Sequence, residues 1–294
     1  MQPIETIQAV QDYYGGLAEH GSKDRSEDHQ TSVAKAFGYD PEDLKSLPEN
    51  ANLGVSCGNP LPLASLREGE TVIDLGSGGG IDVILAARKV GPEGKAIGVD
   101  MTKKMLALAH KNVEKAGITN ASFVEGFITA IPLEDSTADC IISNCVVNLV
   151  PKEQKSLVFR EMFRLLKPGG RVAISDILAR RKLPPEIAND LALYVGCIAG
   201  ASQAQEYHAY LEDAGFGGTS TNPLATDRKI LTLSADITIV DTKADLNVYK
   251  DMQQENPACC GMSCPGVQNN DNIPDYDCNE WAGSFQIYAV KPAL

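Results

Sequence analysis

The stretch from Thr71 to Gly80, TVIDLGSGGG, constrains this chain more than any other, because a short apolar run ends there in a cluster of glycines. The following IDVILAARKV carries apolar residues at helical spacing until Gly91 closes it, so the unit reads as strand, glycine loop, helix. The alternation then repeats. KAIGVD is a second strand ending in Asp100, and Thr102 is placed to cap a helix whose Met105, Leu106, Ala109 and Val113 share one face. ASFVEG is a third strand. ADCIISNCVVNLV reads as a fourth, nearly all apolar, as expected where helices cover both faces of a parallel sheet. In KEQKSLVFREMFRLLKPGG, Val158, Met162, Leu165 and Leu166 line one helical face, Pro168, Gly169 and Gly170 stop it, and RVAISDIL is strand five. The span from 70 to 178 therefore predicts an α/β fold with a doubly wound sheet, helices on both faces, whose ligands bind beyond the carboxyl ends of the strands.

The flanks read differently. Residues 1 to about 50 are polar, with GGLAEHGSKDRSEDHQ as a loop between two helical patches, which predicts an arm or lid and not a core. After Arg180 the alternation breaks down into a helical region through Leu193, strand-like KILTLSADITIV, a Cys-, Asn-, Pro- and Asp-rich loop from 256 to 280, and a last strand FQIYAV. We expect three segments: an arm over 1–60, a ligand-binding domain over 61–180, and a smaller α+β substrate region over 181–294 that completes the sheet.

A net charge of −13 on 294 residues argues against nucleic acid and anionic membrane surfaces as partners. No stretch has the roughly 18 to 20 uncharged apolar residues of a membrane helix, and the N-terminus lacks a basic and apolar leader. Eight cysteines are far too few for a disulfide scaffold of this length. The expectation is a cytoplasmic chain with reduced thiols.

Within D-L-G-S-G-G-G, a dinucleotide fingerprint starting at Gly76 needs glycine at 81, where Ile81 stands. The loop thus favours a nucleoside over a pyrophosphate ligand, with Asp100 suited to ribose hydroxyls. VIDLGSGGG, then GVDMT, then LLKPGG before a strand resembles the Rossmann-like S-adenosylmethionine methyltransferases over residues 70–178. That resemblance implies a cofactor site in which Gly76, Ser77 and Gly78 flank the methionine part, Asp100 holds the ribose and Met101 packs on adenine. It also implies that Phe127 and Ile128 lie along the adenine edge and that Asn144 faces the cofactor. Asp74 joins this set, with a second reading as a buried carboxylate that caps the turn.

The cysteines are at 57, 140, 145, 197, 259, 260, 264 and 278, and no two form the C-x-x-C pair that structural zinc prefers. Cys140 and Cys145 are five residues apart in strand four, so they face opposite sides about 16 Å apart, with only Cys145 at the carboxyl end. Cys140 reads as a small buried hydrophobe. LGVSCGNP around Cys57, SNCVVNLVP around Cys145 and YVGCIAGA around Cys197 resemble the arsenite methyltransferases, and YYGG at 13–16 agrees. The resemblance implies arsenic(III) held by Cys57, Cys145 and Cys197 and methylated for detoxification, with Tyr14 and Gly15 closing over the cofactor. A helix-packing role is the other reading of Tyr14. Arsenic(III) is soft and trivalent, so three thiolates suit it, and its lone pair at the open apex is the nucleophile. Methyl transfer to that lone pair needs positioning and little proton chemistry, so His20, His29, His110 and His208 are expected to be surface or packing residues. The same resemblance implies an arsenic(III) substrate presented as a thiol conjugate, and glutathione or thioredoxin as reductant. S-adenosylhomocysteine would be the product. Relatives carry a further cysteine after the YYG motif, where this chain has HQTSVAKAF. Cys259, Cys260 and Cys264 in PACCGMSCPG are candidate auxiliary thiols for arsenic capture or disulfide exchange, or an inert tail.

Two other functions fit part of the pattern. A quinone or sterol carbon methyltransferase shares the glycine loop and LKPGG but has no use for three thiols. A protein that sequesters metalloids without turnover needs the thiols but not Asp74, Gly76, Gly78, Asp100 and Asn144.

Overall fold

The computed structural model describes residues 3–20, 27–188, 190–217, 230–234, 236–247 and 277–293. Helices α1 (Pro3–His20), α2 (Glu27–Ala36), α3 (Pro41–Lys45) and α4 (Leu61–Ala64) precede the sheet. The alternating part runs β1 (Thr71–Leu75), α5 (Ile81–Val90), β2 (Lys95–Asp100), α6 (Lys103–Lys115), β3 (Ala121–Glu125), β4 (Ala138–Asn144), α7 (Lys155–Leu165) and β5 (Leu166–Ala179). There follow α8 (Pro185–Ala188), α9 (Leu191–Val195), α10 (Ala204–Ala214), β6 (Ile230–Ser234), β7 (Ile237–Asp241), α11 (Cys278–Trp281) and β8 (Ala282–Val290).

Among the described residues the strands form one sheet in the order β3-β2-β1-β4-β5-β8-β7-β6. The first five are parallel, and β8 joins β5 antiparallel from Arg171↔Val290 to Ala179↔Ala282. Alternate strand residues feed two cores. Ile73, Ile141, Val172 and Ile174 pack with Phe159 and Met162 of α7 and Tyr207 and Leu211 of α10, while Val72, Cys140, Ile142 and Ala173 pack with Val83, Ala86 and Val90 of α5. Both faces are covered, as the unbroken apolar runs of β1 and β4 require. From β1 the chain winds outward to β2 and β3, then returns to place β4 on the other side of β1, which opens a crevice at the carboxyl ends of β1 and β4.

Several local expectations change. The segment before β1 is not only an arm: Val33, Ala34, Tyr39, Leu53, Cys57 and Leu61 are buried, because residues 30–61 pack beside the carboxyl ends of the strands. The run ADCIISNCVVNLV is a strand only to Asn144; Cys145 takes a left-handed φ of 59°, and a single 3-10 turn covers 147–149. Extrapolating the strand through Cys145 therefore fails. Thr102 sits at the cap of α6 without a side-chain cap bond, and its N–H donates instead to Asp100 Oδ1 at 2.8 Å. Leu166, expected on the face of α7, is already extended, since Pro168 disfavours helical backbone at Lys167. Within the strand-like run KILTLSADITIV the described residues form two antiparallel strands, β6 and β7. Among the described residues after 180, β6, β7 and β8 extend the same sheet, as expected, and α10 packs into its core.

Candidate active site

The crevice is a cleft of about 1140 Å3, including its solvent-open mouth. Its backbone wall is the glycine loop. The N–H groups of Gly76 and Ser77 both donate to Val99 O, at 2.7 and 3.1 Å, which folds the loop back onto β2. Gly76 has a φ of +70°, and any Cβ there would collide with the Val146 side chain, so only glycine fits between β1 and the turn after β4. Gly78 N–H donates to Asp100 Oδ2 at 3.0 Å. Each Asp100 oxygen thus accepts one backbone N–H and keeps lone-pair capacity toward the cleft. Ser77 Oγ is buried and meets no hydrogen-bond partner among the described residues.

Tyr14, Asp74, Gly76, Ser77, Gly78, Asp100, Met101, Phe127, Ile128 and Asn144 all line this cleft, as does Cys145. Phe127 stands at its rim, 46% exposed. Gly15 is not among the lining residues; a Cβ there would meet Lys104 Cδ at 3.4 Å, so the glycine lets α1 approach the start of α6. His110 packs edge-on against Phe123, and His208 pairs with Glu212 at 3.2 Å.

The cleft is acidic. Asp74, Asp82 and Asp100 line it, and among the described residues no lysine, arginine or histidine does. Burial pushes Asp74 well above the usual carboxylate range, and the charges of Asp82 and Asp100 add to that. Burial likewise raises Asp100, opposed by the Thr102 and Gly78 N–H groups, and raises Asp82 to about 6 against hydrogen bonds from Tyr39 and Asn144. Three buried carboxylates with no cation among them form a site suited to a positively charged ligand. A glycine cradle, a free serine hydroxyl and a ribose-type aspartate beside that charge fit a nucleoside carrying a sulfonium and an amino acid tail.

The sulfur site adjoins it. Cys57, Cys145 and Cys197 bring their sulfurs within 4.8 Å of one another, from the loop before α4, the end of β4 and the turn after α9. They are 3%, 4% and 2% exposed. Val33, Phe37, Ile177, Leu246 and Ala282 wall them off from water. The expectation of three reduced thiols needs one correction: Cys57 and Cys145 are joined as a disulfide with Cα atoms 5.5 Å apart, and only Cys197 is a thiol, its S–H donating to Cys145 O at 2.9 Å. Burial holds the Cys197 thiol well above its ordinary value, Asp176 adds to this, and Lys155 and the Tyr14 hydroxyl oppose it. Cys140 lies apart, fully buried in the core, with its thiol raised to about 12 by burial. Cys259, Cys260 and Cys264 lie outside the described residues.

Two polar networks hold the cysteine segments, and the sequence reading named only Asn144 from them. Asn144 Oδ1 accepts the Cys57 N–H at 3.1 Å, while its amide donates to Gly58 O and Tyr39 Oη, both at 2.8 Å. Tyr39 in turn donates to the Asp82 carboxylate at 2.8 Å. Asn144 therefore aims its side chain at the Cys57 loop. The second network, around Asn148, Lys155, Asp176 and Tyr207, lies under Cys197. A visible signal existed for each: Asp82 and Asn148 are the lone polar residues in the apolar runs IDVILAA and CVVNLV, and Asp176 is the lone charged residue in VAISDIL.

Comparison with known proteins agrees with this geometry. Residues 66–215 match the family described as a methyltransferase domain. An arsenite methyltransferase of Halobacterium salinarum is 41% identical over 235 residues, covering 75% of this chain and 60% of that protein. One from Aquipseudomonas alcaligenes is 35% identical over 254 residues, covering 82% of this chain and 69% of its own length. The chain therefore spans about 60% to 70% of these two curated relatives. The crystal structure of an arsenic(III) S-adenosylmethionine methyltransferase from Chlamydomonas reinhardtii superposes with a TM-score of 0.54 at 28% identity, covering 90% of this chain and 74% of that one. The glycine-loop cleft, the adjoining sulfur triad and these likenesses place the chain in the methyltransferase-domain family and, within it, among the arsenite methyltransferases.

Proposed function

We propose that this protein methylates arsenic(III) with S-adenosylmethionine as donor. The observation that carries the reading is the position of Cys145, which both lines the glycine-loop cleft and belongs to the three-sulfur cluster. Donor and acceptor sites therefore share a wall.

In this reading Gly76, Ser77, Gly78 and Asp74 hold the amino acid end of the cofactor. Asp100 binds the ribose, Met101, Phe127 and Ile128 flank the adenine, and Tyr14, with Gly15 behind it, closes the cleft from α1. Asn144 serves it indirectly, by fixing the Cys57 loop. S-adenosylmethionine, when bound, supplies a methyl group on a positively charged sulfur, an electrophile that an arsenic lone pair attacks without proton transfer. The carboxylates of Asp74, Asp82 and Asp100 offset that charge in a medium poor in water. Cys57, Cys145 and Cys197 present the substrate: three thiols replace three hydroxyls of arsenous acid, or three thiol ligands of a conjugate, releasing water or free thiol. Arsenic then sits with its lone pair at the open apex. Before that step the Cys57–Cys145 disulfide takes up two electrons, and two external thiols, glutathione or a thioredoxin dithiol, become a disulfide in exchange. The need for reduced cysteines favours a cytoplasmic setting. The arm over 1–60 contributes Tyr14 and Cys57, the span 61–180 the cofactor cleft and Cys145, and 181–294 Cys197 and the cover. Cys259, Cys260 and Cys264 remain candidate auxiliary thiols.

A quinone or sterol carbon methyltransferase leaves the buried sulfur triad without a task, and a sequestering protein leaves the acidic cleft without one. The test is release of S-adenosylhomocysteine from the purified chain supplied with S-adenosylmethionine, glutathione and arsenite. Arsenite-dependent release is expected. Equal release without arsenite, or none with arsenite or methylarsenite while the cofactor still binds, overturns the reading.

A further inference from the structure

Lys155, the first residue of α7, is 1% exposed, and it does not line the cleft. A buried ammonium is unfavourable unless its donors are satisfied, and here all three are: Nζ donates to Asn148 Oδ1 at 3.2 Å, to Ser202 Oγ at 3.0 Å and to Gly200 O. These acceptors are not scattered. Asn148 lies three residues after Cys145, and Gly200 and Ser202 lie three and five residues after Cys197. One side chain thus joins the turn that carries the second cysteine to the loop that carries the third.

Asn148 extends the tie. Its Nδ2 group donates to Cys197 O at 3.3 Å, to Asp176 Oδ1 at 2.9 Å and to Ile177 O. Tyr207 donates to Asp176 Oδ2 at 2.8 Å, and the Ser202 carbonyl accepts from Ala179 N–H at 2.9 Å, which pins the loop to the end of β5. Gly200 has no room for a side chain, since a Cβ would collide with the Asn148 carbonyl oxygen. Cys145 and Cys197 both take left-handed backbone, with φ of 59° and 66°, which L residues other than glycine hold only where the surroundings enforce it. The two cysteines with this strain are the two that the ammonium brackets. Burial lowers Lys155 to about 8 and raises Asp176 to about 6, so the chain keeps this pair at an energetic cost that an apolar core would avoid.

The geometry points to Lys155 as a positioning residue of the sulfur site: through Asn148, Gly200 and Ser202 it holds the Cys145 and Cys197 turns in register, so that the third sulfur faces the other two. This rests on the reading of Cys197 as an arsenic ligand. The ammonium touches neither substrate nor cofactor, so its effect is confined to acceptor geometry.

The test uses the full chain with Lys155→Met, which keeps length and removes the ammonium, and Ser202→Ala, which removes one of its three acceptors. Arsenite kinetics, S-adenosylhomocysteine affinity and the iodoacetamide labelling rate of the Cys197 peptide, read by mass spectrometry, are measured together. For Lys155→Met, arsenite-dependent kcat is expected to fall on the order of tenfold to a hundredfold, because displacements near 1 Å are that costly to an aligned reaction. Cys197 labelling rises at least about fivefold as the loop opens more readily, while S-adenosylhomocysteine affinity stays within about twofold. Ser202→Ala shows the same signs at about a third of the logarithmic size, since two of three donors stay satisfied. Unchanged labelling and kinetics in a folded Lys155→Met protein overturn the proposal, as does a parallel loss of cofactor affinity, which marks a general structural role. Should Lys155→Met not fold, unchanged labelling in Ser202→Ala overturns it. Wild-type protein inactive on arsenite, but with Cys197 protection still dependent on Lys155, refutes the arsenic reading and leaves the positioning role standing.

Discussion

Two buried polar networks hold the two sides of the sulfur cluster, and they differ in charge. The network behind Cys57, built from Tyr39, Asp82 and Asn144, is anionic, and it opens onto a cleft that also contains Asp74 and Asp100. The network behind Cys197 pairs the Asp176 carboxylate with the Lys155 ammonium through one asparagine amide. The balanced network is complete by itself. The anionic one keeps excess charge in a place poor in water, which is stable only in partly protonated form or beside a cation. Where a fold leaves charge uncompensated, a ligand of opposite charge is expected; where it compensates charge internally, the network serves the backbone.

The largest effect that separates the two sides comes from the sulfurs. Cys145→Ser and Cys197→Ser each remove one of three soft ligands, and arsenite-dependent turnover is expected to fall by on the order of 10³-fold or more. Equilibrium binding of S-adenosylmethionine should stay within about twofold, because the cleft wall loses only a sulfur-to-oxygen exchange. Turnover above a tenth of wild type in both variants breaks the division between an acceptor side and a donor side.

Asp82→Asn probes the other side. With Tyr39 and Asn144 still able to bond the amide, the change removes charge more than structure, and S-adenosylmethionine affinity is expected to fall about tenfold. Stability moves the opposite way. The folded Asp82 value near 6 lies above the free value of about 3.9, so its stabilising contribution is present below about pH 4 and is lost as pH rises through about 6. At neutral pH the ligand-free wild type therefore carries a penalty that Asn removes, and its melting temperature should rise by roughly 2 °C. A bound cation favours the ionised carboxylates, so melting shifts caused by S-adenosylmethionine should be larger near about pH 7.5 than near about pH 5.5, and less so in Asp82→Asn. A pH-independent shift in wild type contradicts the uncompensated charge.

The fold was legible where local pattern and global architecture agree. The glycine turn at 76–80, the apolar runs of β1 and β4 and the helical face of α7 each satisfy one rule that the sheet also needs. The glycine loop and Asp100 were readable as a nucleoside-type site from their offsets to a strand, whereas Met101, Phe127, Ile128, Asn144 and Tyr14 entered only through resemblance. The sulfur cluster was legible only through resemblance, since Cys57, Cys145 and Cys197 meet across 88 and 52 residues of chain and no spacing rule spans such gaps. Asn144 shows a finer limit. Its place at the end of a strand was readable, whereas the direction of its amide, toward the Cys57 loop, depends on Tyr39 and Gly58 arriving from elsewhere. The burial of residues 30–61 escaped notice because their polar composition hides the few apolar side chains that dock.

Tyr14 belongs to both regions, and its substitution gives the smallest and most discriminating effect. It lines the cleft, and its hydroxyl donates to Val195 O at 3.2 Å, two residues before Cys197, so α1 is tied to α9 across the mouth between donor and acceptor sides. The same hydroxyl acts to lower the Cys197 thiol. Tyr14→Phe keeps the ring, its edge contact with Tyr13 and its packing near Val10 and Val195, and removes only the hydroxyl. A neutral hydrogen bond of this kind is worth about 1 kcal/mol, so affinity for S-adenosylmethionine should weaken by no more than about fivefold. Because the hydroxyl reaches the acceptor side as well, Cys197 labelling near neutral pH should slow by a comparable factor as its thiol rises further. Of the cofactor and sulfur readouts, Asp82→Asn is expected to move chiefly the first and Cys197→Ser chiefly the second, whereas Tyr14→Phe is expected to move both together. If only cofactor affinity changes, Tyr14 is a wall of the cleft and nothing more, and the two sides meet through Cys145 instead.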